Sequence, residues 1–92
     1  VTHIEDYACD CCEYLETLTI GSGVRHIGYA AFEGCRKLSK VVSHIPADSL
    51  FVIDSSTFNN ISPDCILYVP RGAKKAYQNT FGWHRFAQVL EF

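Results

Sequence analysis

The chain repeats itself, and a repeat restricts the possible folds more than any other feature. A unit too short to bury its own apolar face must share a core with its neighbours. At an offset of 23 residues, Val1, His3, Ile4, Ala8, Cys12 and Leu15 fall on Val24, His26, Ile27, Ala31, Cys35 and Leu38, and Leu18 falls on Val41. A further offset of 26 places Ile27 on Ile53, Ala31 on Thr57, Phe32 on Phe58, Val41 on Leu67 and Ser43 on Val69. The additional residues lie in one connection, where Gly21-Ser22-Gly23 gives way to the longer His44-Ile45-Pro46-Ala47-Asp48-Ser49. Loops absorb insertions, so the register survives. The copies divide the chain into 1–23, 24–49 and 50–70, with 71–92 left over.

Within the first copy, Leu15-Glu16-Thr17-Leu18-Thr19-Ile20 alternates apolar with polar positions, the pattern of a strand with one wet face. Leu38 to Ser43 and Cys65 to Val69 repeat it. Like strands at nearly equal spacing predict a parallel sheet with one strand per repeat. Residues 1–4, 24–27 and 50–53 are predicted to run extended on the opposite wall, joined to the strands by short turns at 6–10 and 29–33. Cys11, Gly34 and Asn60 share one column. Gly and Asn accept a left-handed backbone most readily, which predicts a positive-φ corner there.

The remaining segment reads as a cap. After Pro70-Arg71-Gly72, helical spacing puts Ala73, Ala76, Tyr77 and Thr80 on one face and Lys74, Lys75 and Gln78 on the other. Gly82 is predicted to terminate that helix, and Phe81, Trp83, Phe86, Val89 and Leu90 to close the last repeat. Nothing comparable covers the first repeat, so its edge is expected to be open to self-association. With no Met in the sequence, the chain is expected to start inside a longer gene product.

These residues resemble the BspA-like class of leucine-rich repeats, whose unit reads V-x-x-I-x-x-x-A-F-x-G-C-x-x-L-x-x-V-x-I. The stretch from Val24 through Ala31-Phe32-Glu33-Gly34-Cys35 to Leu38 follows it position by position. The ending, Leu67-Tyr68-Val69-Pro70 followed by Gly72, a Tyr-containing helix and Gly82-Trp83, is similar to the closing segment of many such proteins from gut and oral bacteria. The first copy departs at Cys9 and Cys11, where the class has Phe and Gly, and the third has Asn60-Ile61 in place of Gly-Cys. The resemblance implies an α/β, β-rich leucine-rich-repeat solenoid of about three stacked repeats with a C-terminal capping helix. It also implies a secreted or cell-surface bacterial protein that adheres to host or bacterial surfaces.

Candidate chemistry is sparse. Cys9, Cys11 and Cys12 form C-x-C-C, which with His3 could hold zinc, but no second cysteine pair stands at zinc spacing, and in register the thiols take core positions. A Cys12–Cys35 disulfide is within reach of neighbouring strands, although side chains stacked in a ladder point the same way and oppose the required dihedral. None of His3, His26, His44 and His84 stands in a nucleophile context, and Glu5, Asp6, Glu13 and Glu16 read as solvated. Gly21-Ser22-Gly23 lacks the residues of a phosphate loop. Arg71, Lys74 and Lys75 make a small basic patch that reads as a solvated face, with an acidic ligand as the alternative. A net charge of -2 leaves no basic footprint for nucleic acid, and no apolar run approaches the roughly 20 residues a spanning helix needs. No catalytic residue, metal or cofactor is expected.

The wet face of the sheet remains. In register, Thr17, Lys40 and Ile66 form one row and Thr19, Val42 and Tyr68 the next, on the wall that repeat curvature makes concave. A row carrying Ile, Val and Tyr suits a partner-binding surface as well as simple strand propensity. The function expected is non-enzymatic binding of a host or bacterial surface protein or glycan through this face. The alternative is a purely structural end to a longer array whose ligand site lies elsewhere.

Overall fold

The computed structural model describes residues 2–9, 12–86 and 88–92. The expectations for Val1 and for Cys11 in its corner lie outside the described residues. Among the described residues, six short strands form: β1 (His3–Ile4), β2 (Thr17–Ile20), β3 (His26–Ile27), β4 (Lys40–Ser43), β5 (Ile66–Val69) and β6 (Gln88–Glu91). The helix α1 (Lys74–Asn79) and 3-10 turns at Ala47–Ser49 and Trp83–Arg85 complete the elements.

Strands β2, β4, β5 and β6 make one parallel sheet in that order. Its register sets Leu18 against Val41, Val41 against Leu67 and Leu67 against Val89. The expected rib of aliphatic side chains is therefore continuous, and it gains a member. No strand was expected after residue 70, yet β6 adds a fourth. Its two apolar positions, Val89 and Leu90, read as cap packing because a single valine and leucine between polar neighbours carry little periodicity.

On the other wall, β1 and β3 pair in parallel through His3–His26 and Ile4–Ile27. The third copy does not extend this ladder. Residues 50–53 form no strand, and the Ile53 N–H donates to the carbonyl of Phe81 at 3.2 Å. The C-terminal segment takes the place of a third paired strand.

Backbone hydrogen bonds also tie the copies at the corners. Tyr7 N–H donates to Tyr29 O (2.9 Å) and Cys9 N–H to Ala31 O (2.7 Å), then Phe32 N–H to Thr57 O (2.9 Å) and Gly34 N–H to Asn59 O (2.9 Å). Gly34 (φ 78°) and Asn60 (φ 59°) occupy the left-handed region as expected. Two further positive φ values, at Tyr7 (58°) and Ala30 (52°), stand 23 residues apart at one repeat position. Neither residue type signals that geometry, which costs about 1 kcal/mol or more outside Gly and Asn. Tertiary hydrogen bonds hold it in place, including Ala30 N–H to Ser56 Oγ at 3.1 Å.

The core runs between the walls. Phe32 and Phe58 stack with centroids 5.4 Å apart and planes at 11°. Phe58 then meets the edges of the C-terminal aromatics, with Phe86 at 5.2 Å and Trp83 at 6.0 Å. Trp83 is fully buried, and its indole N–H donates to Phe51 O at 2.8 Å. Tyr77 is the buried anchor of α1, while Lys74, Lys75 and Gln78 face solvent as their spacing predicts. The Glu91 carboxylate accepts the N–H groups of Gly72 (3.0 Å) and Lys74 (3.4 Å), joining β6 to the start of the helix. Two expectations need correction. The helix ends at Thr80 rather than at Gly82, whose φ of 91° instead opens the Trp83–Arg85 turn. Phe81 is 55% exposed and stacks beside His84 rather than entering the core, because its backbone is committed to Ile53.

Candidate functional site

Alternation along each strand decides which side chains the sheet presents. Ile20, Val41, Ser43, Leu67, Val69 and Val89 point into the core, and the residues between them face outward. Pairing brings Thr17, Lys40 and Ile66 into one row and Thr19, Val42 and Tyr68 into the next, in the register expected. β6 continues these rows with Gln88 and Leu90, which the sequence pattern did not single out. Thr17, Thr19 and Lys40 are exposed, whereas Val42, Ile66 and Tyr68 are half-buried. The apolar members are thus less open than an exposed row would be, and the Lys40 side chain covers one of them, Tyr68.

Lys40 shows how. Its ammonium lies 5.2 Å from the centre of the Tyr68 ring, across the strand pair and two residues beyond Ile66, its partner in register. A cation over an aromatic face gains roughly 0.5–1 kcal/mol at an exposed site. The pair fixes a charged and aromatic spot in the middle of an otherwise neutral face. A second such pair stands at the approach to the sheet, where Lys37 Nζ lies 5.3 Å from the Tyr14 ring, itself 81% exposed. Tyr14 and Lys37 are 23 residues apart, so the repeat register alone would have found them.

The histidine column behaves as a surface column. His3 and His26 are exposed with ring centroids 5.6 Å apart. Among the described residues, no group of three His, Cys, Asp or Glu side chains is placed to hold a metal. Cys9 and Cys12 are half-buried, Cys35 and Cys65 are buried, and all four are free thiols. Cys35 donates through Sγ to Cys9 O at 3.2 Å. Burial pushes the Cys35 thiol up to about 11, partly opposed by a backbone contact from Cys12, and burial likewise pushes Cys65 up to about 11 against a small pull from Arg85. The Cys9 thiol is raised as well, first by burial and then by Cys12. Thiols held in the protonated form are poor nucleophiles and poor ligands. They fill space as small core groups.

The model of the BspA type leucine rich repeat region (6 copies) matches residues 1–89. The match covers both ladders, α1 and the first half of β6. No curated protein and no solved structure gives a significant match to the chain. With a model of this kind spanning nearly all of its 92 residues, and a parallel sheet that follows the repeat register, the chain belongs to the BspA-type leucine-rich repeat family.

Proposed function

We propose that this chain is a non-enzymatic binding module of a secreted or surface-attached repeat protein, and that it adheres to a protein or glycan on a host or bacterial surface. It is read as a solenoid of about three coils, 1–23, 24–49 and 50–70, closed by 71–92. The binding surface is the sheet face carrying Thr17, Thr19, Lys40, Val42, Ile66 and Tyr68. The Lys40–Tyr68 pair carries this reading, because it sets a cation and a ring side by side at the centre of an otherwise uncharged face. Tyrosine is enriched where partners dock and among the residues that carry binding energy. Family membership favours a repeat module that binds rather than catalyses, and the protonated thiols are in keeping with that.

The test is an adhesion assay with the labelled chain on arrayed extracellular-matrix proteins, host glycans and bacterial cells. Substituting Lys40→Ala and Tyr68→Ala together is expected to reduce the retained signal at least tenfold with an unchanged circular dichroism spectrum. A ligand that binds the double variant as well as the parent removes the sheet face from consideration. A second reading rests on Trp83, Tyr77 and Phe86, which cover Phe58 at the end of the stack. On that reading, 71–92 only closes a repeat array whose ligand site lies elsewhere, and its deletion lowers stability while affinity per folded molecule stays the same.

A further inference from the structure

The third corner breaks the repeat, and a cleft stands where it does. In the first two copies the corner closes six residues on, from Cys9 to Leu15 and from Phe32 to Leu38. Each ends in the same turn, with Leu15 N–H to Cys12 O at 3.1 Å and Leu38 N–H to Cys35 O at 3.0 Å. The third corner makes this turn from Cys65 N–H to Ser62 O (3.1 Å), but it takes seven residues from Phe58 to do so. The residue gained is given back before β5, which starts one residue after Cys65 instead of two. By these turns Ser62 stands where Cys12 and Cys35 stand in the other copies. A cleft of about 260 Å³ lies between this corner and the Trp83–Arg85 turn. Buried Cys65 and Phe86 line it together with half-buried Ser62 and the exposed Asn59, Asn60 and Arg85.

The charged group at the cleft is underused. Among the described residues, the Arg85 guanidinium makes one hydrogen bond, from Nη1 to Ser55 O at 3.5 Å, the outer limit for such a contact, and no carboxylate pairs with it. The nearby acids Glu33 and Asp54 are engaged by Asn59 and by Ser56. An arginine with most of its five donors unused presents a planar fork that matches a carboxylate. Asn60 adds an amide, and Ser62 a hydroxyl that accepts the Asp64 N–H at 3.3 Å and keeps its own proton to donate to an alcohol. Small-molecule sites usually enclose about 300–1,000 Å³, so this one admits nothing much larger than a single sugar ring.

We propose that the third-corner cleft binds a monosaccharide-sized carboxylate, a hexuronate, with Arg85 holding the carboxylate and Asn60 and Ser62 the ring hydroxyls. The site is separate from the sheet face and does not depend on its assignment. The test is a titration of the ¹⁵N-labelled chain with sodium galacturonate, with galactose as the neutral match and Arg85→Gln and Arg85→Lys as variants. Galacturonate is expected to shift the amides of residues 59–62, 64, 65, 85 and 86 saturably in the millimolar range, and galactose at the same concentration is not. Arg85→Gln should weaken binding on the order of tenfold to a hundredfold, and Arg85→Lys should retain part of it. Arg85 is exposed, so both variants should keep the parent spectrum elsewhere. No saturable shift with galacturonate, an equal response to galactose, or unchanged affinity in Arg85→Gln would each overturn the proposal.

Discussion

Tyr77→Phe isolates one hydroxyl at the centre of the fold, and its effect can be worked out from the hydrogen bonds around it. Tyr77 donates to Ile45 O at 2.7 Å, so the 2.6 Å contact with Ser43 must run from the serine hydroxyl to Tyr77 Oη. Ser43 Oγ in turn accepts the Ile45 N–H at 3.3 Å. Three groups thus close a ring of hydrogen bonds between β4, the connection after it and α1. Ser43, Ile45 and Tyr77 are all fully buried. Phenylalanine fills the same space but leaves the Ser43 hydroxyl without an acceptor and the Ile45 carbonyl without a donor. Each orphaned buried group costs about 1–3 kcal/mol, which puts the loss from the two at roughly 2–6 kcal/mol. A 92-residue domain has only about 5–14 kcal/mol in total, so the melting temperature should fall by about 10 °C or more. Adding Ser43→Ala removes one of the two orphans. Urea unfolding of the two single variants and the double should therefore show the double less destabilised than the sum by about 1 kcal/mol or more. A Tyr77→Phe loss under about 0.5 kcal/mol, or strict additivity, refutes the closed ring.

Two further outcomes follow from the backbone and from the thiols. Gly82→Ala should destabilise by about 2 kcal/mol or more, because its φ is 91° and a Cβ there meets Ile53 O at 2.5 Å. Gly72→Ala, at φ 83° with open space around it, should cost only about 1 kcal/mol, and equal losses in chemical denaturation would contradict the close approach to Ile53. Stability should also fall with rising alkalinity. The Cys35 and Cys65 thiols are raised from 9 to about 11, so their contribution is complete below pH 9 and is lost as pH climbs toward about 11. Tyr77, pushed by burial from 10 to about 12 against the pull of its Ser43 hydrogen bond, adds a later fall that Tyr77→Phe abolishes. Thermal melts between pH 8 and pH 12 check the sequence of events, and a flat curve for Cys65→Ala together with the parent would contradict it.

Much of the candidate face could be read before any coordinates, because a parallel ladder with one strand per repeat turns sequence offset into spatial adjacency. Thr17, Lys40 and Ile66 are neighbours for the same reason that Leu18, Val41 and Leu67 are. The Lys40–Tyr68 contact was not legible, since it runs diagonally and depends on where a flexible lysine comes to rest. The cleft at Arg85 was harder still. Arg85 belongs to no repeat column, and its approach to Ser62 and Asn60 follows from how the C-terminal segment folds back over the third corner.

Periodicity in the chain was sufficient for the class of fold, the strand register, the buried rib and the corner at Gly34 and Asn60. Those features depend on local backbone preference and on apolar spacing, both of which are written in residue types. The fourth strand, the left-handed Tyr7 and Ala30, the outward turn of Phe81 and the ring around Tyr77 came only with the packed chain. Each is settled by partners far away in sequence that compete for the same backbone groups or the same space, and no local pattern records which of them wins.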